Sequence, residues 1–145
     1  MKVMVPNMGE VEVAEDKIIN FVQGPLAFED YKKFFIIDSE ENDFPFKLLQ
    51  SAEEESLGFI LIDPFTFKPD YDIELNEDVL QELEIEKPED ILVFVFLVIP
   101  DKVEDISANL VAPIIINAEK RLAKQVILDG TDYETKFRIF QNVNS

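Results

Sequence analysis

Carboxylates at alternate positions are the side chains of this sequence that come closest to a metal-binding arrangement. Asp70, Asp72 and Glu74 are separated by single residues, and such oxygen donors are the ligands that Ca²⁺ takes in proteins. An EF-hand loop that began at Asp70 would need glycine at its sixth position and glutamate at its twelfth. Those positions hold Leu75 and Gln81. We therefore expect no metal site here, and we interpret the segment as a strand whose acids face water.

Other familiar chemistry also lacks its usual residues. The 145 residues include no histidine, cysteine or tryptophan, which removes the side chain that titrates near neutrality and the readiest nucleophile. No glycine-rich phosphate loop followed by Lys and Ser or Thr is present. Two carboxylates in different environments can act as general acid and base, but 31 acidic residues make any chosen pair arbitrary. We expect no enzymatic activity and no cofactor; a carboxylate- or calcium-dependent hydrolase is the alternative.

The charge balance bears on the partners and the compartment. Asp and Glu number 31 against 13 Lys and Arg, a formal net charge of −18, whereas nucleic acid is bound by neutralising its phosphates with basic residues. We expect no direct binding to nucleic acid. The apolar run 91–99 is far shorter than the roughly 20 residues that cross a membrane, and the N-terminal residues do not resemble a secretory signal. The absence of cysteine fits a reducing compartment, so we expect a cytoplasmic protein. The short apolar run leads us to expect no membrane partner.

The acids are concentrated in one stretch. Between Asp70 and Asp90 there are ten acidic residues and a single lysine, Lys87. A solvated face explains most charge runs, and acidity by itself keeps a protein soluble. The sharper interpretation is a docking surface for a basic partner, because charged surfaces of this kind speed encounter and select partners. Both interpretations remain open from the residues alone.

An aromatic loop directly precedes this acidic stretch. Phe65, Phe67 and Tyr71 follow an apolar run, and Pro64 and Pro69 fix the backbone angles between them. Aromatic side chains held in a stiff loop serve as binding anchors at low entropic cost. The other interpretation is an aromatic cluster that closes one end of a barrel.

The elements that must position these residues are mainly strands. Apolar residues come in short β-branched or aromatic runs that end at Asp, Pro or Asn, which favours strands over helices. The length and the absence of linkers or repeats indicate one domain over residues 1–145. Because the run 91–99 is apolar throughout, both of its faces should be covered, as inside a barrel or beneath a helix. Strands are predicted near 10–13, 34–37, 59–62, 91–99 and 114–116.

Helices are few in this interpretation. Asn76 is a suitable N-cap for a helix from Glu77 to Leu83, because Val79, Leu80 and Leu83 then share one face. A second short helix or turn is predicted near 104–110. The segments 111–117 and 122–128, separated by a polar tetrapeptide, indicate a hairpin.

Several separated motifs occur in an order that resembles the flagellar assembly factor FliW family over nearly the whole chain. The resemblance implies a small cytoplasmic bacterial protein with a small antiparallel β-barrel-like domain, one or two short helices and no catalytic activity. The motifs are Lys17-Ile18-Ile19-Asn20-Phe21, Phe28-Glu29, Leu49-Gln50-Ser51, Asp63-Pro64-Phe65, Pro69-Asp70-Tyr71, and Ala108 to Ile114 with Asn117.

The resemblance also implies two competing partners. One is flagellin, bound before its export, and the other is the RNA-binding translational repressor CsrA, whose action on flagellin mRNA is relieved when the family protein captures it. We expect a monomer. A chaperone for flagellin alone is the alternative within the same family.

The matched residues divide into two groups of expectations. Asn109, Pro113 and Asn117 are expected to satisfy buried backbone groups or shape turns. The candidate partner-binding residues lie in the aromatic loop and at the start of the acidic stretch; they are Asp63, Phe65, Phe67, Asp70, Tyr71, Asp72 and Glu74.

Two departures from the family pattern predict local changes. The pattern has Pro after the Phe of the first motif and Gly-Ile-Pro-Gly before Phe-Glu, whereas residues 22–27 here read Val-Gln-Gly-Pro-Leu-Ala, which predicts a reshaped turn. A family glycine falls at Ala123, so we expect a left-handed, strained backbone at that residue.

Overall fold

Strands dominate the structure, as the short apolar runs predict. The computed structural model describes residues 1–6, 9–38 and 46–140. Within those ranges there are eleven strands and one α-helix, α1, which spans Glu77–Glu82. The strands, β1 to β11 in order, are Lys2–Val5, Gly9–Glu12, Ile19–Phe21, Lys33–Asp38, Phe46–Ser51, Gly58–Ile62, Ile91–Val98, Ser107–Ala108, Ile114–Asn117, Leu122–Gln125 and Phe137–Arg138.

Seven of these strands close into a barrel. The hydrogen-bonded order is β7-β6-β5-β4-β3-β10-β9, and β9 then pairs with β7 to complete the circuit. All neighbouring pairs are antiparallel except β3 with β10, which run parallel. One edge of β7 is shared, because its first half pairs with β9 and its end pairs with β8.

Alternation along each strand fills the barrel with apolar side chains. Residues two apart on a strand point to the same face, so Phe94 and Phe96 point inward while Val93 and Val95 point outward. The largest inward groups belong to a single cluster, and the ring centroids of Phe21 and Phe34 lie 5.1 Å apart within it. This interior core lies around Ile19, Phe21, Phe34, Leu49, Leu61, Phe94, Ile114 and Ile116.

Three further layers cover the outside of the barrel. The β1–β2 hairpin packs on Phe35 and Ile37, and α1 packs on Ile115. The segments 67–73 and 126–140 together cover the outward side chains of β6 and β7. No helix in the described ranges has the length and apolar character needed to cross a membrane.

The sequence prediction for the strands is largely confirmed. All five predicted strands exist within one or two residues of the expected bounds, and the predicted hairpin is formed by β9 and β10. The centre of β7 is buried on both faces, as expected. Its ends are not, because Leu92 and Val98 are exposed.

Helix α1 confirms the predicted N-terminus and nearly the predicted length. The Asn76 carboxamide oxygen accepts from the Val79 N–H at 2.9 Å, which satisfies one of the free donors of the first turn. At the other end, the N–H of Glu84 donates to Gln81 O and that of Ile85 donates to Leu80 O. This is a Schellman motif. Glu84 has the left-handed φ of 54° that the motif requires.

Two local predictions are wrong, and a third is confirmed in part. The segment 70–74 is not a strand; it is an irregular segment after a turn, because Tyr71 is anchored inward instead of alternating along a sheet. The short helix or turn expected near 104–110 is a 3-10 helix, Val103–Asp105, and the rest of that range contains β8. Ala123 lies within β10 and is not left-handed; the left-handed residue is Arg121, with φ of 59°, because the hairpin reverses there.

Candidate functional site

The aromatic loop begins with a capped 3-10 helix, Pro64–Thr66. Its N-cap is Asp63, whose carboxylate accepts from the Phe65 N–H at 2.9 Å. Pro64 is buried at the first position of the 3-10 helix, where its fixed φ suits the start of the turn. Phe65 is 42% exposed and is the one aromatic residue of the loop on display.

Tyr71 is not a surface anchor, which corrects the expectation from the sequence. Only 3% of this residue is exposed, and its hydroxyl donates to Leu110 O at 2.7 Å. Burial raises the pKa of the Tyr71 hydroxyl, so that it remains a donor over the whole physiological range. The residue therefore fastens the loop to the chain before β9.

Phe67 is also largely engaged. Its ring stacks on Phe137 with centroids 5.8 Å apart, and it packs with Ile62 and Val95 on the outside of the barrel. Phe67 and Tyr71 thus cover the barrel wall. The second interpretation, in which the aromatic residues close one end of the barrel, is therefore wrong.

The acidic segment, which we define as residues 70–90, lies along the outer wall. It is held there by Val79 of α1 and by Leu83 directly after the helix, both of which pack against Ile115. Of its ten acids, nine are exposed and Asp90 is half-buried. Three are paired with lysines: Asp70 with Lys68 at 3.4 Å, Glu84 with Lys120 at 3.2 Å and Glu82 with Lys124 at 3.0 Å.

A cleft of about 620 Å³ separates the start of the acidic segment from the segment after β10. Asp72 and Glu74 line one side, and Asp129 and Asp132 line the other. The Tyr133 hydroxyl bridges the backbone of Asp72, accepting from its N–H at 2.8 Å and donating to its carbonyl at 2.9 Å. Among the described residues, no three Asp or Glu side chains are arranged to hold a metal ion.

The three matched residues of the C-terminal half lie in turns and in the core. The Asn109 carboxamide oxygen accepts from the N–H groups of Val111 and Ala112, and Pro113 is buried directly before β9. Asn117 is 2% exposed, and its amide donates to the carbonyls of Leu83 and Glu84. These contacts fasten the C-terminal end of α1 to β9.

The structure also shows an exposed apolar surface at one barrel end that the sequence analysis did not single out as a site. Leu26, Phe28 and Val98 are 44%, 38% and 63% exposed, and we call these three residues the mouth surface. The Phe28 ring lies 5.6 Å from Phe59, which stacks on Phe96 at 4.5 Å. Val98 follows Phe96 on the same face of β7. The Phe28-Glu29 motif marked Phe28 in the sequence. No sequence pattern marked Val98 as part of this surface, because it reaches the surface only through closure of the barrel.

The loop that displays Leu26 and Phe28 is tightly built. The backbone N–H of Leu26 donates to the side chain of buried Gln125 at 2.9 Å, and the N–H of Phe28 donates to Pro25 O at 2.7 Å. A Cβ at Gly24 would lie 2.3 Å from Tyr31 O, so no other residue fits there. Ala27 has a φ of 73°, a left-handed conformation at the position where the family pattern has its second glycine.

Replacing Ala27 with glycine should stabilise the protein. The left-handed conformation costs an L-residue about 1 kcal/mol, and glycine removes that cost at the price of greater freedom in the unfolded chain. We expect the free energy of unfolding to rise by about 0.5 kcal/mol, measured by urea denaturation. Ala14, which has an extended φ of −66°, gives the matched control. Ala14→Gly should destabilise, and equal effects of the two variants would contradict the prediction.

Comparisons with known proteins place this chain in one group. A family model described as "FliW protein" matches residues 2–139. The flagellar assembly factor FliW of Geobacillus kaustophilus is 44% identical over 140 residues, covering 97% of this chain and 96% of that protein. That of Caldicellulosiruptor saccharolyticus is 44% identical over 94% of this chain and 89% of its own length. A crystal structure of the flagellar assembly factor FliW superposes with a TM-score of 0.89 at 41% identity, covering 96% of each chain.

Proposed function

Because the chain belongs to the FliW protein family, we propose that it is a non-enzymatic binding protein of flagellar assembly. It binds flagellin in the cytoplasm and, when flagellin has been exported, captures the translational repressor CsrA. Capture of the repressor relieves the repression of flagellin translation. The protein acts as a monomer in this scheme.

The observation that carries the repressor part of this proposal is the acidic segment. Its exposed carboxylates outnumber the lysines that pair with them, and the whole chain has a net charge of −18. A protein whose working surface binds RNA is basic there, so the two surfaces are electrostatically complementary. The same charge keeps RNA away from this chain. Asp70, Asp72 and Glu74, with Asp63 and Phe65 beside them, are the candidate contact residues.

Binding of each purified partner tests the proposal directly. We expect two binary complexes, one with flagellin and one with CsrA, and we expect flagellin to displace the repressor in a competition pull-down. Absence of both complexes would overturn the proposal. Binding of flagellin alone would favour a dedicated flagellin chaperone.

The electrostatic contribution has its own signature in the association rate. Charges more than about 10 Å apart are screened at 0.1 M salt, so the repressor should associate faster at low ionic strength. In the double variant Asp72→Asn/Glu74→Gln the low-salt association rate should fall about threefold. The variant Glu15→Gln/Asp16→Asn removes the same charge from exposed residues near β2 and is the control. A rate that is independent of salt, or an equal fall in both variants, would exclude the acidic segment as the docking face.

A further inference from the structure

The mouth surface is an apolar area on a strongly acidic chain. Single exposed hydrophobic side chains are common on proteins and need no explanation. Leu26 and Phe28 differ from such residues because one short loop presents both. Phe28 is in addition supported from behind by Phe59, which in turn stacks on Phe96, and both of these rings pack against the barrel core.

The loop under Leu26 and Phe28 is held in place before any partner arrives. Its backbone is bonded to Gln125, whose side chain is buried and also donates to Ala112 O at 3.1 Å. The backbone N–H of Ala27, the residue with the left-handed φ, donates to the Glu29 carboxylate at 3.3 Å. A loop backbone fixed in this way loses little conformational entropy on binding, which is the property of a preorganised display loop.

The charges around the mouth surface indicate what it can bind. The Glu53 carboxylate accepts from the N–H groups of Lys32 and Lys33, which ties the β5–β6 loop to the loop that carries Phe28. A second copy of this chain is a poor occupant, because each copy has a net charge of −18. The exposed charged residues on the loops at this barrel end are Glu29, Asp30, Glu53, Glu54, Glu55, Asp101 and Glu104, with Lys32, Lys33 and Lys102 among them.

We propose that the mouth surface docks an apolar protein segment flanked by Lys or Arg residues and, resting on the proposed function, that flagellin supplies this segment. A subunit that polymerises exposes apolar assembly contacts before it enters the polymer. An RNA-binding repressor presents a basic polar surface, which suits the acidic segment on the barrel wall. The two partners thus have different principal surfaces on this chain, and the displacement expected in the competition pull-down arises because the two bound proteins overlap in space outside these surfaces.

Calorimetric titration with purified flagellin and purified CsrA tests the assignment. The variant Leu26→Ser/Val98→Thr should bind flagellin at least tenfold more weakly, while its affinity for the repressor changes less than twofold. The matched control is Met4→Ser/Leu92→Thr, which makes the same kind of change at exposed residues away from the mouth surface. It should leave both affinities unchanged.

A second variant, Phe28→Ser, removes the supported ring and should show the same selectivity. Because Phe28 also packs on Phe59, its melting temperature is measured alongside; the double variant, which leaves that ring contact intact, decides the case if Phe28→Ser does not fold.

Unchanged flagellin binding by the double variant would overturn the inference while leaving the proposed function intact. An equal loss in the control, or loss of repressor binding alone, would also overturn the inference. If the wild-type chain binds the repressor and not flagellin, the assignment of the segment to flagellin is wrong. If the wild-type chain binds neither protein, the proposed function fails as well.

Discussion

Replacing Asn117 with alanine is expected to lower the free energy of unfolding by about 3 kcal/mol, because several polar groups lose their partner at once. The side chain is 2% exposed, and its amide donates to Leu83 O at 2.8 Å and Glu84 O at 3.1 Å. Its carbonyl oxygen accepts from the N–H groups of Glu119 and Lys120. Alanine offers neither donor nor acceptor, so the buried carbonyl of Leu83 loses its side-chain partner. Urea denaturation followed by circular dichroism measures the loss.

Asn109 provides a matched control for that substitution. Its carboxamide oxygen accepts two backbone N–H groups, at 3.1 and 3.2 Å, but the residue is only half-buried. We expect Asn109→Ala to cost about 1 kcal/mol. If the two variants lose equal free energy of unfolding, then the contacts of Asn117 with the end of α1 add no stability beyond that of an ordinary turn contact.

Replacing Leu83 with alanine should destabilise the protein by about 3 kcal/mol, since removal of a fully buried side chain leaves a cavity. Leu83 is 0% exposed and packs with Val79 and Ile115 beneath the acidic segment. The same substitution should slow association with the repressor, because the carboxylates of α1 are then less firmly fixed on the barrel wall. Denaturation and association kinetics on the same preparation measure both effects.

Leu80 is the control on the same helix. It is half-buried, so Leu80→Ala removes an equal volume from a site that solvent can fill, and we expect a loss of about 1 kcal/mol. If Leu83→Ala is no more destabilising than Leu80→Ala, then the acidic segment is not anchored through Leu83.

Much of the fold was predictable because its signals are local. The apolar runs from 34, 59, 91 and 114 contain their own strand pattern, and Asn76 marks the start of α1 through a contact only three residues away. Five strands were not predicted, namely β1, β3, β5, β8 and β11, and the last two lack such signals. β8 and β11 are two residues long and exist because β7 offers an open edge beyond β9. Their pairing is a tertiary event that no local pattern records.

The candidate site was predicted less well, and Tyr71 shows why. Two prolines and three aromatic residues indicated a stiff display loop, and the stiffness is present. The direction of each ring depends on what lies beneath it. The Tyr71 hydroxyl donates to Leu110 O and its ring is buried, and the Phe67 ring stacks on Phe137. Of the three aromatic residues in the loop, only Phe65 is exposed.

The sequence by itself determined the mainly β character of the fold, the position of α1, the concentration of carboxylates between Asp70 and Asp90, and the family to which the chain belongs. Each of these depends on residue type and order along the chain. The tertiary structure decided which aromatic residues are buried, and it brought Val98 to the same barrel end as Leu26 and Phe28. Val98 lies about seventy positions along the chain from Leu26 and Phe28. Closure of the barrel places them together, because β3 and β7 end on the same side of a sheet whose circuit is fixed by long-range pairing.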